Sequence, residues 1–458
     1  MKKDYLLNNF YVRKVRDSFV LTTDHGCWIS LIADEFKRFE SKDLDDVLFN
    51  KLEEKGIIIT ERNQDWISET FREKNNFLFQ GPSLHIIILT LRCNMKCVYC
   101  HASSRGMNEV GFDMSEETAS KVVDFIFQTP SEGVTIEFQG GEPLVNFNVL
   151  KHVVSYAKEI NKKFKKDLRF NVVTNLSLMD KDKLDFLLKQ GVSICTSLDG
   201  PKQINRKNRI FVGDDKLEFW IKEISKKDKN MINALPTVTK NNILYWKELV
   251  DEYVRLGLRN VHLRFLNNLG YAKKTWEDVA YSAEEFVDMW KRSMDYIFEL
   301  NKKGVDIKER MAFIIASKFL KNDEPNYLEL RSPCGAVNGQ LAYNFDGSVF
   351  TCDEARMLGD DTFRIGDVGQ KLKDVVQSDK SCAVMAASCN DLFCYGCGFK
   401  PYCGVCPVCN FTEQGSIIAK IPSTIRCKIY KAQFDYILEK ILFDKDVKEI
   451  LERWLTTP

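Results

Sequence analysis

The sequence predicts an α/β protein whose central part is a partial (β/α)6 TIM-like barrel. Apolar, strand-like runs alternate with helical patterns through this part of the chain, which is typical of a parallel sheet with crossover helices. Polar and cysteine-rich motifs follow several of the runs, at the end where barrels bind ligands. The predicted strands are 84–91, 133–139, 168–174, 192–197, 231–238 and 260–266, and the predicted helices are 115–128, 148–163, 180–189, 216–227 and 243–256.

The composition excludes several classes of protein. A chain of 458 residues with 44% hydrophobic residues can bury a large core, and we expect two or three domains. The net charge of +1 gives no long-range attraction to nucleic acid or to a membrane surface, so neither partner is expected. No stretch of 18 apolar residues is present to span a bilayer. Residues 1–5 lack the apolar core of a signal peptide, and we therefore expect a cytoplasmic protein.

The chain divides into five segments. Residues 1–80 form a small unit and 81–275 the barrel; a helical bridge (276–329), a cysteine-rich domain (330–428) and a terminal segment (429–458) follow. The terminal segment should contain one helix at 430–454. In the first unit we predict strands at 10–15, 18–23 and 27–31, helices at 33–39 and 44–55, and a short apolar β segment at 57–59.

Cysteine is the most informative residue type. The chain has 15 cysteines, and seven of them fall between Cys389 and Cys427. This clustering does not suit a disulfide framework, and without an export signal metal or cluster ligation is the better interpretation. The expected environment is reducing and low in oxygen.

A compact cysteine motif leaves the first predicted barrel strand. Cys93, Cys97 and Cys100 are separated by three and two residues. Four-iron clusters are normally held by four thiolates, so three would leave one iron free to bind a small molecule. Structural zinc uses four ligands, and no fourth cysteine lies nearby in the sequence.

Polar motifs follow the next strands. Gly140, Gly141, Glu142 and Pro143 come after the second strand, where paired glycines allow close approach to a ligand and the carboxylate can accept from an ammonium group. Asn175 ends the third strand and could bind sugar hydroxyls or a carboxylate. A simple turn at the glycines is the competing interpretation.

Together these motifs strongly resemble the radical S-adenosylmethionine (SAM) enzymes, in which Tyr99 belongs to the same cysteine loop. The resemblance implies that the open iron takes the amino and carboxylate groups of SAM, and that residues 140–143 hold the amino group. It also implies that Ser197 contacts the SAM ribose region and Asp199 lies near the substrate in a catalytic position. Arg209 would reach the SAM carboxylate, with Arg206 as a competitor.

For several of these residues, a purely structural role is the alternative to SAM binding. Asn175, Ser197 and Arg209 could simply stabilise their loops. Arg264 should point to the barrel interior or to substrate, whereas His101 and His262 are expected to be structural.

The cysteine-rich domain begins with a predicted hairpin at 343–350, which has an Asp346-Gly347 turn and lies between Cys334 and Cys352. The domain resembles the SPASM extension, which carries two auxiliary [4Fe-4S] clusters. Tetrahedral zinc is the competing interpretation, because paired cysteines also suit zinc.

The resemblance implies an outer cluster on Cys394, Cys397, Cys403 and Cys427, and an inner cluster that begins with Cys334 and Cys352. The family pattern expects another cysteine four residues after Cys403, where this chain has Pro407. Cys406 is our choice for the inner cluster, with Cys409 as its rival or as the fourth ligand. Cys382 and Cys389 are the leftover candidates.

The resemblance to radical SAM/SPASM maturases of ribosomal peptides covers nearly the whole chain. It implies SAM, three [4Fe-4S] clusters, a flavodoxin- or ferredoxin-type reductant, and a 5′-deoxyadenosyl radical that starts an oxidative modification of a precursor peptide, with a side-chain crosslink as the expected product. Residues 10–13 and 402–407 most resemble the His-Xaa-Ser maturase group.

The same resemblance makes residues 1–80 a winged-helix-like domain that recognises the peptide's leader, although a structural lid is the alternative. A maturase of a protein, such as a sulfatase or a quinone-cofactor enzyme, is the first alternative function. A non-enzymatic iron–sulfur electron-transfer protein is the second.

Overall fold

The computed structural model describes residues 4–211, 216–325, 328–389 and 393–456. Its amino-terminal unit is a three-stranded antiparallel sheet packed against helices. The predicted strands and first two helices are present, two further helices follow, and the apolar segment pairs with the chain start instead of the sheet. The elements are β1 (Leu6–Leu7), β2 (Phe10–Val15), β3 (Ser18–Thr23), β4 (Trp28–Ile32), α1 (Ala33–Glu40), α2 (Asp46–Glu54), β5 (Ile58–Ile59), α3 (Gln64–Asn75) and α4 (Phe77–Gln80).

The two faces of the three-stranded sheet, ordered β2-β3-β4, pack in different directions. Leu21, Ile29 and Leu31 face the helices of the unit itself and form its small core. Val15 and Val20 belong instead to the main core of the molecule. The unit is therefore built into the protein through one whole face of its sheet.

The next part of the chain alternates strands and helices, as predicted. Its elements are β6 (Leu84–Thr90), β7 (Met95–Cys97), α5 (Glu116–Ile126), β8 (Gly133–Gly140), α6 (Phe147–Phe164), β9 (Asp167–Thr174), α7 (Lys181–Gln190), β10 (Val192–Ser197), α8 (Lys202–Asn208), β11 (Arg209–Phe211), α9 (Leu217–Lys227), β12 (Ile232–Leu235), α10 (Trp246–Arg255) and β13 (Asn260–Val261).

The remaining elements are mostly helical. They are α11 (Trp276–Val279), α12 (Ala283–Lys302), β14 (Lys308–Glu309), α13 (Arg310–Lys321), β15 (Gln340–Tyr343), β16 (Ser348–Phe350), α14 (Asp353–Leu358), β17 (Arg364–Asp367), α15 (Leu372–Val376), α16 (Asp379–Ser388), α17 (Pro407–Gln414), α18 (Ile425–Phe443) and α19 (Lys445–Thr456). None of the helices in the described part of the chain is both long and apolar enough to cross a bilayer.

An eight-stranded, mostly parallel sheet organises the molecule, in the order β12-β10-β9-β8-β6-β15-β16-β17. The strands from β12 to β15 run parallel, so their carboxyl ends meet at one edge of the sheet. The predicted hairpin of the cysteine-rich region supplies β15 and β16, with Gly347 at φ 86° in its turn. The cysteine-rich region thus extends the same sheet that carries the cysteine loop.

The sixth predicted barrel strand is much shorter than expected. Only β13 is a strand, and it pairs with β14 outside the main sheet; beyond it a single bridge joins Thr237 and Arg264. Side chains take the backbone N–H groups that a ladder would use: Glu309 accepts from Leu263 at 3.2 Å, and Tyr281 from Leu266 at 2.7 Å. The prediction of a full strand at 260–266 is therefore wrong.

The predicted single helix at 430–454 is also corrected. Helix α18 begins earlier, where Thr424 accepts a hydrogen bond from the N–H of Cys427. The chain then breaks at Asp444, which has extended backbone angles and accepts from the N–H of Val447 at 3.1 Å. Aspartate is a favoured cap residue, so this break had a signal in the sequence.

Candidate functional site: a loop and two further groups of cysteines

The cysteine loop between β6 and α5 is held on three sides by backbone pairing. Strand β7, which contains Cys97, pairs antiparallel with β11, which begins at Arg209. The N–H of Gly141 donates to the carbonyl of Thr90, and the N–H of Tyr271 donates to that of Cys100, each at 2.8 Å. The three cysteines are therefore presented by a fixed loop at the carboxyl edge of the sheet.

A cavity of about 270 Å³ opens against this loop. It brings together most of the residues that the sequence analysis selected for the SAM and catalytic-cluster site. Of that set, Pro143 and Asp199 do not line the cavity. The selected residues in its wall are Cys93, Cys97, Tyr99, Cys100, Gly140, Gly141, Glu142, Asn175, Ser197 and Arg209.

The three cysteines of the loop are half-buried. Burial raises the pKa of the Cys93 thiol to about 12 and that of Cys97 to about 11. Arg209 lies close to this loop, with its Nη1 3.8 Å from the sulfur of Cys97. An all-sulfur donor set with a neighbouring cation suits an iron–sulfur cluster, in which the ligands are thiolates.

Glu142 is buried, with 1% of its surface exposed, and its carboxylate is fixed by three donors. Oε1 accepts from the hydroxyl of Thr174 at 2.6 Å and from the N–H of Leu144 at 3.0 Å, and Oε2 accepts from the N–H of Asn175 at 2.8 Å. Burial raises the pKa of Glu142 to about 6. The carboxylate is thus held rigidly in the cavity wall, where a cationic ligand group would compensate its desolvation.

The structure explains why glycine is needed at positions 140 and 141, and the explanation differs from the one that the sequence indicated. A Cβ at Gly140 would lie 2.1 Å from the carbonyl oxygen of Thr90, and a Cβ at Gly141 would lie 2.3 Å from that of Arg92. The close approach is therefore to the backbone at the start of the cysteine loop. Glycine joins the second strand to that loop as well as leaving the cavity open.

Asp199 lies under the cavity wall and has no exposed surface. Its Oδ2 accepts from the hydroxyl of Tyr99 at 2.6 Å and from Nε of Arg209 at 3.0 Å, and its Oδ1 accepts from the N–H of Thr237 at 2.9 Å. A catalytic position in contact with substrate is not what this geometry favours. The carboxylate instead fixes Tyr99 and Arg209, so Asp199 is a positioning residue.

Asn175 and Ser197 both remain in the wall. The side-chain nitrogen of Asn175 lies 4.0 Å from the sulfur of Cys93 and donates to Asn94 at 3.1 Å. Ser197 also borders a second, small cavity together with Arg206. The loop-stabilising interpretation of Asn175 therefore holds in part, because its amide is already engaged with the cysteine loop.

The sequence analysis missed five further residues of the cavity wall: Glu137, Gln139, Cys195, Asp353 and Met357. Glu137 accepts from Gln139 at 2.7 Å, and burial raises its pKa. The signal was available, because Glu137 and Gln139 alternate with apolar residues along β8 and must face the opposite side from them.

Ion pairs link this cavity to the cysteine-rich region. Arg264, which lines the cavity, donates to Glu354 at 3.2 Å. Arg356 donates to Asp353 at 2.9 Å and to the carbonyl of Ala102, in the cysteine loop, at 3.4 Å. Asp353 and Glu354 directly follow Cys352 in the chain. These ion pairs therefore fix the region around Cys352 relative to the cavity.

A third cavity, of about 360 Å³, lies in the cysteine-rich region, against the amino-terminal unit. Burial raises the pKa of the Cys403 thiol, and the thiols of Cys427, Cys397 and Cys394 raise it further, so these four cysteines are close neighbours. Cys389 also borders this cavity, whereas Cys382 is exposed elsewhere and does not line it.

The remaining cysteines of the region form another group. Burial raises the pKa of the Cys334 thiol to about 12, and the neighbouring Cys406 raises it further. Burial also raises the pKa of the Cys352 thiol, and the neighbouring thiols of Cys406 and Cys334 raise it further. Cys406 caps α17 and accepts from the N–H of Cys409 at 3.5 Å. Cys409 therefore sits beside Cys406, within the same group.

The donors in the three groups of cysteines are all sulfur atoms, and thiolates are the ligands of iron–sulfur clusters. In the described parts of the chain, no three His, Cys, Asp or Glu side chains are placed to hold a single metal ion.

Residues 87–255 match the family model described as the Radical SAM superfamily. The match spans β6 to α10 and contains the cysteine loop, the glycine pair and Arg209. The chain therefore contains a radical SAM domain, and such a domain implies SAM and one [4Fe-4S] cluster.

Two characterised relatives are similar in sequence. The radical SAM cyclopropyl synthase TigE of Paramaledivibacter caminithermalis is 24% identical over 346 residues, which cover 70% of this chain and 68% of the relative. The cysteine-type anaerobic sulfatase-maturating enzyme of Clostridium perfringens is 26% identical over 381 residues, which cover 79% of this chain and 98% of the enzyme.

Two solved structures share the fold. Native anSMEcpe with bound AdoMet has a TM-score of 0.70 at 21% identity, covering 81% of this chain and 100% of that one. Streptococcus suis SuiB bound to precursor peptide SuiA has a TM-score of 0.56 at 15% identity, covering 91% of this chain and 98% of that one.

Proposed function

We propose that this chain, which contains a radical SAM domain, is a maturase that installs an oxidative modification, expected to be a side-chain crosslink, in a ribosomally made precursor peptide. The observation that carries the proposal is the single cavity that joins the three loop cysteines to Glu142, Asn175 and Arg209. Polar groups of Glu137, Gln139 and Asp353 line the same cavity, where a substrate side chain would enter.

Different residues of the cavity would bind the cluster and the different groups of SAM. Cys93, Cys97 and Cys100 would hold the cluster, which with SAM supplies a 5′-deoxyadenosyl radical for hydrogen abstraction. Glu142 would receive the amino group of SAM, and its three hydrogen bonds keep the carboxylate in place. Arg209 would bind the SAM carboxylate.

Three further residues complete the proposed SAM site. Asn175 would help to bind the SAM carboxylate, and Ser197 would contact the ribose region. Tyr99 would pack against the bound cofactor, because Asp199 fixes its hydroxyl and leaves the ring at the cavity wall.

The other two cysteine groups would hold auxiliary clusters. Cys394, Cys397, Cys403 and Cys427 form the proposed outer site, and the inner site consists of Cys334, Cys352, Cys406 and Cys409. The grouping of Cys409 with Cys406 supports it as the fourth ligand and not as the rival of Cys406. Two extra clusters suit a net oxidation, because they can accept the electron released when a substrate radical forms a new bond.

The amino-terminal unit supports a peptide substrate. The structure of native anSMEcpe is matched in full and covers 81% of this chain, whereas that of SuiB bound to precursor peptide SuiA covers 91% of it. Among the described residues, β2 and β4 are the edge strands of the three-stranded sheet. A leader could add as a further strand beside β2, because an unpaired edge offers backbone donors and acceptors.

Lys14 provides a sharp test of leader binding at this edge. The two-residue turn after Val15 makes Val15 and Ser18 a hydrogen-bonded pair, so the N–H of the preceding residue, Lys14, points away from β3. Lys14→Pro should therefore weaken binding of the leader about tenfold by removing that donor, while Lys14→Ala, which keeps it, should bind normally. Fluorescence anisotropy with leaders from the small open reading frames beside the gene measures both affinities.

Equal binding by the two variants would assign the unit the role of a structural lid. Substrate-free cleavage of SAM should be unchanged in both, which separates an effect on the leader from damage to the barrel. The narrower resemblance to His-Xaa-Ser maturases would be decided by the sequence of the peptide that binds.

A maturase of a protein substrate is the second candidate, favoured by the match to a sulfatase-maturating enzyme over nearly its whole length. Failure of every neighbouring peptide to bind would favour it. A purely electron-transferring protein is disfavoured by the fixed carboxylate of Glu142, which such a protein would not need. The proposed enzyme works in the cytoplasm with a flavodoxin- or ferredoxin-type reductant.

A further inference from the structure

One half-buried cation, Arg426, stands beside the proposed inner site. Arg426 lines the cysteine-rich cavity together with Cys406 and Cys409, and it directly precedes Cys427 in the chain. It is the second residue of α18, whose start is fixed by the Thr424 cap. The side chain therefore has a defined place between the inner and outer groups of cysteines.

Among the described residues, no carboxylate forms an ion pair with Arg426. Its guanidinium lies 5.5 Å from the ring centre of Phe265 and 5.6 Å from that of Tyr430. Its Nε is buried and has no hydrogen-bond partner in the described part of the chain. Two carboxylates of the surroundings have other partners: Glu354 pairs with Arg264 at 3.2 Å, and Glu413 accepts from the N–H of Ile425 at 3.1 Å.

A partly buried guanidinium whose Nε has no hydrogen-bond partner is stabilised by a nearby anion. Cys406 and Cys409, which line the same cavity as Arg426, would supply two of the thiolates that hold the inner cluster. A cluster held by four thiolates is anionic, and reduction by one electron adds negative charge. A fixed cation beside it favours the reduced state, especially where the dielectric constant is low.

We propose that Arg426 is the counter-charge of the inner cluster and raises the reduction potential of that cluster above that of the same site without the cation. Arg426 thus acts as a positioning and tuning residue that makes the inner site the better electron acceptor. The inference rests on the proposed cluster ligation, and it concerns electron transfer and not the identity of the substrate.

The test needs no peptide. The Cys93→Ala/Cys97→Ala/Cys100→Ala variant, reconstituted anaerobically, retains only the auxiliary clusters and serves as the parent protein. Its redox titration is followed by EPR, and the signal that Cys352→Ala removes is assigned to the inner cluster. Arg426→Gln removes the charge, Arg426→Lys keeps it, and Lys428→Gln removes a neighbouring exposed cation that pairs with Glu284.

Arg426→Gln should lower the ratio of reduced to oxidised inner cluster at least tenfold at a fixed potential, equivalent to about 59 mV for one electron. Arg426→Lys should stay within threefold of the parent, and Lys428→Gln should leave the ratio unchanged. A ratio within threefold in Arg426→Gln, or a shift confined to the outer signal, would overturn the inference.

Loss of the cluster is also informative. If Arg426→Gln loses the inner irons but Arg426→Lys keeps them, the counter-charge is supported, whereas loss from both variants would assign a packing role. Zinc in place of auxiliary iron in the parent would refute the proposed ligation first, and the tuning role with it; iron without an effect of Arg426 would refute the tuning role alone.

Discussion

Gly141 controls the fit between the second barrel strand and the cysteine loop. A methyl group there would meet backbone carbonyls that cannot rotate away, namely those of Arg92 at 2.3 Å and Leu91 at 2.5 Å. Gly141→Ala should therefore displace the loop and lower SAM cleavage at least a hundredfold. The control is Gly133→Ala, at the start of the strand that Gly141 follows, where an added Cβ would have no neighbour within 4 Å. Similar 5′-deoxyadenosine formation by both variants would contradict this account of the glycine.

Asp199 carries a second prediction at the residue scale. Asp199→Asn leaves Arg209 buried without a carboxylate, and removal of one partner from a buried ion pair should cost about 3 kcal/mol. Tyr99→Phe removes one hydrogen bond to the same carboxylate and should cost about 1 kcal/mol. Anaerobic chemical denaturation of the apo-protein measures both free energies of unfolding. If Asp199→Asn cost no more than Tyr99→Phe, the carboxylate would not be the anchor of the network.

Residue types and spacing predicted where the site lies but not how each side chain points. Cys93, Glu142 and Asn175 line one cavity, because parallel strands bring their carboxyl ends together. The role of Asp199 could not be predicted, because its partners Tyr99 and Thr237 come from distant parts of the chain.

At the scale of elements, the amino-terminal hairpin is pinned to helix α18. Arg13 makes two hydrogen bonds to Asp435, at 2.7 and 2.5 Å, and lies over the ring of Phe399. Arg13→Leu should lower stability by about 1 kcal/mol and increase hydrogen exchange in β2 and β3. The pair of Arg16 with Glu439 is more exposed, so Arg16→Leu should change stability by less than about 0.5 kcal/mol. Equal exchange in the two variants would show that apolar packing alone docks the unit.

This docking also limits what truncation can test. Deletion of residues 1–80 would uncover the face of Val20 and break the bond from Trp28 to the carbonyl of Phe319 at 2.7 Å. Substitution at the free edge, as at Lys14, changes recognition without exposing that face.

Element types were easier to predict than their lengths and pairing. Strong periodicity located the five consecutive barrel strands and their helices. The strand after β12 was overestimated because Glu309 and Tyr281, remote in sequence, take its backbone donors. The parallel pairing of β15 with β6 joins segments far apart in the chain, and no local pattern encodes it.

For the whole molecule, the central claim is that the loop of three cysteines forms the catalytic centre and the other groups serve it. The claim depends on the separation of the cysteines into three places, one of them in the cavity of the radical SAM domain. Each of the three groups of cysteines should therefore gain or lose its cluster independently of the other two.

The most direct test compares the wild-type chain with Cys93→Ala/Cys97→Ala/Cys100→Ala after anaerobic reconstitution, with iron analysis and assay of 5′-deoxyadenosine from SAM and reductant. The wild type should bind about 12 irons, four in each of three clusters, and cleave SAM. The triple variant should keep about eight irons, on the same cluster rule, and form no 5′-deoxyadenosine. Continued formation of 5′-deoxyadenosine by the triple variant would contradict the assignment of the catalytic centre.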